Sequence, residues 1–342
     1  MANMSSYISW FLLLTQFLIL VATIVEAKIP AVIVFGDSSV DSGNNNFIPT
    51  VARSNFEPYG RDFTGGRPTG RFSNGRIATD FISQALGLKS AVPPYLDPAY
   101  NISDFAVGVT FASAATGYDN DTSRVLSVIP LWEQLLFYKG YQKKLRAYLG
   151  ESQANQTISE ALHMISLGTN DFLENYYAFP PADQPRIAES FVKELYGLGA
   201  RKISLGGLPP MGCMPLERNT NLMGGRDCVQ NYNTVALEFN DKLNKLVMKL
   251  NKELPGINLV FSNPYFIFMQ IIRRPSLYGF ESTSVACCAT GMYEMGYACA
   301  QNGLMTCTDA SKYVFWDAFH PTQKTNQIIA NYVVKHVLYK FI

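Results

Sequence analysis

The chain has 342 residues, 48% hydrophobic and 16% charged, which gives material for a large core without the repeated long apolar runs of a polytopic membrane protein. The formal net charge is +1, with Lys and Arg scattered along the chain. Nothing here recommends a nucleic-acid surface or a polybasic membrane patch, and a small or neutral partner is expected.

In chain order, the first distinctive segment is Trp10 to Val25, apolar except for Thr15, Gln16 and Thr23, followed by Glu26 and Ala27. It reads as a signal peptide over residues 1–27, so a secreted mature protein, extracellular or in a cell wall, is expected from residue 28. Residues 1–7 carry no Lys or Arg and the run approaches the length of a membrane span, so an uncleaved anchor is the alternative. After cleavage no stable membrane span is expected. Residues 28–342 contain no repeat, charge block or low-complexity linker, and one α/β domain is the simplest account.

Five short apolar runs, 31–36, 106–111, 161–167, 202–205 and 257–261, are continuous enough for strands buried on both faces, as in a parallel sheet. Between and after them lie helical stretches at 74–86, 130–149, 185–198, 229–254 and 322–338. The apolar spacing of Leu237, Leu243, Leu246, Val247 and Leu250 marks one buried face. Repeated βαβ order places reactive groups on loops beyond the carboxyl ends of the strands.

The first run leads straight into Gly36-Asp37-Ser38-Ser39, a position that displays a serine nucleophile and equally suits a helix cap. The third run leads into Gly168-Thr169-Asn170-Asp171. Asn170 is suited to donate to an oxyanion; by itself the segment reads more readily as an Asx-turn or cap. Near the C-terminus Trp316-Asp317-Ala318-Phe319-His320-Pro321 puts an acid three residues before a histidine, ahead of a helix that tolerates Pro321 in its first turn. Asp317 folded back on Nδ1 would fix the imidazole tautomer as His320 takes the serine proton. His163 and His336 lack such a loop context and read as core or surface residues.

The Gly- and Arg-rich stretch 65–76 lacks the phosphate-loop pattern and reads as a loop near the site, with Arg71 and Arg76 in structural hydrogen-bonding roles. No G-x-S-x-G occurs, which argues against the α/β-hydrolase elbow. All six cysteines lie in the C-terminal half, an even number suited to disulfides in an exported protein. Cys213 and Cys228 frame a short Gly-rich loop, and Cys287, Cys288, Cys299 and Cys307 cluster within 21 positions. One bridge for the pair and two within the cluster are expected. With no C-x-x-C or H-E-x-x-H and three histidines, no metal site is expected. Acceptor sequons stand at Asn101, Asn120 and Asn155, in keeping with a secreted glycoprotein.

These blocks, together with Gly66-Arg67-Pro68-Thr69-Gly70-Arg71-Phe72-Ser73-Asn74-Gly75-Arg76, Leu208-Pro209-Pro210-Met211-Gly212-Cys213 and Cys287-Cys288 ahead of residues 309–317, closely resemble the plant GDSL esterase/lipases of the SGNH hydrolase superfamily. The resemblance spans the mature chain. It implies a flavodoxin-like three-layer α/β/α sandwich around a parallel sheet of about five strands, with Ser38 as nucleophile, His320 as base and Asp317 as orienting acid. The oxyanion donors it implies are the backbone N–H of Ser38, a backbone N–H at Ala115 and the side chain of Asn170.

Two departures stand out. Gly-Asp-Ser-Ser replaces Gly-Asp-Ser-Leu, which makes Ser39 a decoy, and Ala115 stands where the family generally has glycine. A donor there survives if φ is negative; at positive φ the substitution strains the backbone or displaces the donor. The implied activity is hydrolysis of lipid acyl or other acyl or acetyl esters, polysaccharide esters included, with no cofactor. An acyltransferase using the same site and a non-catalytic binding protein on the same fold are the alternatives. Oligomeric state is not legible in the sequence.

Overall fold

The computed structural model describes residues 29–175, 183–301 and 305–342; the expected signal peptide lies outside them. Five strands, β1 (Val32–Gly36), β2 (Gly108–Thr110), β3 (Leu162–Ser166), β4 (Lys202–Gly206) and β5 (Asn258–Ser262), form one sheet in the order β2-β1-β3-β4-β5. Every pairing is parallel. This is the flavodoxin-like order, in which the chain reverses direction across the sheet beside β1 and a crevice opens at the carboxyl ends of the strands.

The five apolar runs all become strands, and β2 is the most shortened. Beyond its end the chain still bonds β1: Phe111 N–H donates to Val34 O and Ser113 N–H to Gly36 O. Alternation along β1 builds both layers. Val32 and Val34 pack with Val92 and Ala112 on one face. Phe35 meets the rings of Phe111, Tyr138 and Phe191 at 5.3 to 5.4 Å on the other.

The helices α1 (Ala78–Ala85), α2 (Leu131–Leu149), α3 (Gln184–Gly197), α4 (Gln230–Glu253) and α5 (Gln323–His336) occupy the expected stretches. α5 packs against α1, and α3 against α4. Among the described residues no helix is long and apolar enough to cross a membrane.

α1 begins four residues later than the expected Asn74. The Asn74 side chain is engaged elsewhere, donating to Asp62 at 2.5 Å and accepting from the Gln323 N–H at 2.8 Å, and Asp80 caps the helix instead. Arg71 makes a buried bidentate pair with Asp80, Nε to Oδ2 at 2.8 Å and Nη2 to Oδ1 at 2.9 Å. It also donates to the carbonyl of Val92. That is the structural hydrogen-bonding role expected of it. His163 is buried, meets the Tyr138 hydroxyl at 2.9 Å, and has its pKa pushed down to about 4, chiefly by burial.

The cysteines pair as Cys213–Cys228, Cys287–Cys307 and Cys288–Cys299, one bridge in the first group and two in the second. The last two bridges, with Tyr59, Phe72 and Trp316, make a second small core beside the crevice.

Candidate active site

Ser38 follows directly from β1. Gly36 turns the chain with φ +147°, and a Cβ there would lie 2.0 Å from the carbonyl oxygen of Ser166, so only glycine fits. The buried Gln134 side chain clamps Gly36, accepting from its N–H and donating to its carbonyl, both at 2.9 Å. Ser38 Oγ meets His320 Nε2 at 2.8 Å. Ser39 is turned into structure: its hydroxyl donates to Asp37 Oδ1 at 2.7 Å and meets Ser166 Oγ at 2.9 Å. Burial pushes the Asp37 carboxyl above the usual range, an effect opposed by the Ser39 donors.

His320 Nδ1 lies 2.8 Å from both oxygens of Asp317, which is fully buried. The intervening loop is short and pinned. Asp317 Oδ1 also accepts the N–H groups of Phe319 at 2.9 Å and His320 at 2.7 Å. Trp316 N–H bonds the His320 carbonyl at 2.7 Å, and Ala318 N–H the Glu294 carbonyl at 2.9 Å. Thr322 then caps α5. The Phe72 ring lies 4.8 Å from the imidazole, centre to centre, which sets the 65–76 loop against the site. A carboxylate on Nδ1 leaves Nε2 as the acceptor facing Ser38 Oγ, an arrangement that can accept a proton from it.

The implied oxyanion donors border the same cleft. The N–H groups of Ser38 and Ala115 meet no hydrogen-bond acceptor among the described residues. Asn170 Nδ2 donates one hydrogen to the Thr116 carbonyl at 2.9 Å and has a second to give. Ala115 sits at φ +67°, the left-handed conformation in which a Cβ costs about 1–2 kcal/mol. Of the two outcomes open at this position, the chain has the strained one.

Residues distant in sequence hold it there. Asp41 Oδ2 accepts the Ala114 N–H at 3.1 Å, and Asn45 Nδ2 donates to the Ala114 carbonyl at 3.2 Å. Asp171 accepts from the N–H groups of Tyr118 and Asp119 at 2.8 and 2.9 Å. Burial raises the pKa of both Asp41 and Asp171 to about 6. Sequence reasoning missed Gln134, Asp41, Asp171 and Tyr59. Asp171 carried a signal by standing next to Asn170, and Asp41 by standing three residues after Ser38; Gln134 and Tyr59 are joined to the site only through space.

Two clefts flank Ser38. One runs past Asn170 and His320 over Leu208, Met214, Phe268, Phe315, Phe319 and Ile329. The other runs past Ala115 between Val51, Arg53, Met295 and Tyr297. A carbonyl at Ser38 thus has room for an apolar arm on one side and a mixed one on the other.

The sequence matches the GDSL-like lipase/acylhydrolase family over residues 32–333. The chain belongs to this family of carboxylic ester hydrolases. It is 68% identical over 315 residues to a GDSL esterase/lipase of Arabidopsis thaliana, covering 89% of this chain and 90% of that one. A second Arabidopsis thaliana GDSL esterase/lipase is 58% identical over 326 residues, covering 92% and 93%. A third is 58% identical over 342 residues, covering 97% of both.

Proposed function

We propose that this GDSL hydrolase is a secreted enzyme that cleaves carboxylic esters, of lipid acyl or other acyl or acetyl groups, through a Ser38 acyl-enzyme formed in one domain spanning residues 28–342. His320 Nε2 takes the proton of Ser38 Oγ as the oxygen attacks the ester carbonyl, and Asp317 stabilises the imidazolium. The developing oxyanion is held by the N–H groups of Ser38 and Ala115 and by Asn170 Nδ2. His320 then returns its proton to the leaving alcohol, and water repeats the sequence to free the acid. No metal or organic cofactor enters these steps.

The observation that carries this reading is the imidazole of His320 within 2.8 Å of Ser38 Oγ on one side and of Asp317 on the other. Export is supported by the apolar segment at residues 10–25, by three disulfides and by the exposure of Asn101, Asn120 and Asn155 as glycan acceptors. The test is a panel of aryl, acetyl and longer-chain acyl esters offered to the secreted protein. Wild type hydrolyses some of them, Ser38→Ala none, and mass spectrometry finds residue 28 as the first. Equal hydrolysis by both proteins rejects the serine mechanism; material that still carries residues 1–27 rejects cleavage.

A further inference from the structure

We propose that Tyr59 is a positioning residue for ester hydrolysis, its hydroxyl acting on His320 through Asp317; this rests on the Ser38–His320–Asp317 mechanism above. The Tyr59 hydroxyl donates to Asp317 Oδ2 at 2.6 Å and accepts the Gly296 N–H at 2.7 Å. Oδ1 of Asp317 takes the two amides of its own loop, whereas Oδ2 has, among the described residues, Tyr59 as its one donor besides the imidazole. The phenol therefore fixes the plane of the carboxylate relative to Nδ1.

The ring is fully buried and stands edge-on to Phe72 and Trp316, each at 6.0 Å. Phenylalanine would fill this space. A hydroxyl in so dry a place is costly unless both its donor and its acceptor are used, as they are here. Burial, and then the neighbouring Asp317 charge, hold the phenol pKa far above its ordinary range, so the oxygen keeps its proton and donates at every working pH. The acceptor bond ties Tyr59 to the segment closed by Cys288–Cys299, whose Met295 and Tyr297 border the cleft beside Ala115. Ser38, His320, Asp317 and Tyr59 thus form one continuous hydrogen-bonded line.

This bond draws charge from Oδ2, so Asp317 stabilises the imidazolium less than an unbonded carboxylate would, while holding it in line. The other titratable or charged groups near the pair are Asp37, whose charge reaches His320, Arg53 on the cleft wall, Arg61 over the Trp316 ring at 5.0 Å, and Glu294, whose carbonyl holds the loop. Among the described residues, none of them bonds the Asp317 carboxylate.

The test is the pH profile of kcat/KM for the full secreted chain with its disulfides intact. Tyr59→Phe should lower kcat about 10-fold with KM changed by less than about twofold, since one bond to a charged group is lost away from the substrate. Its acid limb should move up by roughly half a pH unit. Site-specific 3-fluorotyrosine at position 59, a stronger donor of nearly the same shape, should move the limb down instead. The Nδ1–H proton resonance of His320 should shift in both variants. Wild-type kcat and an unmoved limb in Tyr59→Phe overturn the proposal; so does an unmoved limb with 3-fluorotyrosine, which decides alone if Tyr59→Phe does not fold. Ser38→Ala separates the two levels: if it still hydrolyses esters the underlying mechanism fails, whereas failure of the Tyr59 proposal alone leaves Ser38→Ala inactive.

Discussion

The loop that carries His320 and the strap that carries Ala115 both border Ser38 in one cleft, and they are held in opposite ways. The histidine loop is anchored largely by itself, through Asp317 Oδ1 on two of its own amides and the Trp316 N–H on the His320 carbonyl. The strap around Ala115 is held from outside, by Asp41, Asn45, Asn170 and Asp171, all more than 50 positions away in sequence. In the proposed mechanism the first is an acid–base device, and its geometry is local. The second is a strained donor kept in place by its surroundings, the circumstance in which a residue of the wrong type persists at positive φ.

If that contrast is right, injury to the two sides should differ in kind. Asp317→Asn should be the more damaging, with kcat falling by up to ~10⁴ because the amide permits the wrong imidazole tautomer. Circular dichroism should show a retained fold. A loss below about tenfold would mean that His320 is held in line by something other than Asp317.

On the oxyanion side Asn170→Ala should lower kcat by roughly 10²–10³ and leave KM nearly unchanged, since its free N–H bonds most strongly in the transition state. A normal kcat would assign Asn170 to its bond with the Thr116 carbonyl alone.

The anchors of the strap should show themselves in stability rather than rate. Asp171 is raised by burial from its ordinary value to about 6. The folded state therefore binds a proton more readily than the unfolded one, and this contribution to stability is fully present below about pH 4 and lost as pH rises through about 6. Asp171→Asn removes the titration, so the difference in Tm between wild type and variant should change across pH 4 to 6.5 and be constant above it. A pH-independent difference would place the titration elsewhere.

The smallest effect is expected at Ala115 itself. Glycine relieves about 1–2 kcal/mol of left-handed strain and gives back roughly 0.4–1 kcal/mol through the freer unfolded chain. Ala115→Gly should thus raise Tm by a few degrees at most with kcat nearly unchanged. A large rise in kcat would show that the wild-type donor is displaced.

The same contrast explains what was legible in the sequence. Parallel strands buried on both faces announce themselves as continuous apolar runs, so all five, and the helices between them, stand close to the expected places. Asp317 and His320 lie three residues apart on one loop, a spacing that carries its own geometry, and a glycine-flanked serine at a strand end does the same. Gln134 and Tyr59 act through contacts that exist only once distant segments pack, and no local pattern encodes them. Ala115 lies between: its departure from glycine was visible, whereas the sign of its φ is fixed by residues from distant segments of the chain.

The most direct test of the central claim, that Ser38 and His320 act as one unit on the ester, is a double-mutant cycle on kcat, supported by labelling with an organophosphonate ester. Ser38→Ala and His320→Ala should each abolish nearly all hydrolysis, and the double variant should be little worse than either. The phosphonate should be found on Ser38 alone and only in folded enzyme. Independent, multiplicative losses in the double variant, or label on Ser39 or Ser42, would contradict it.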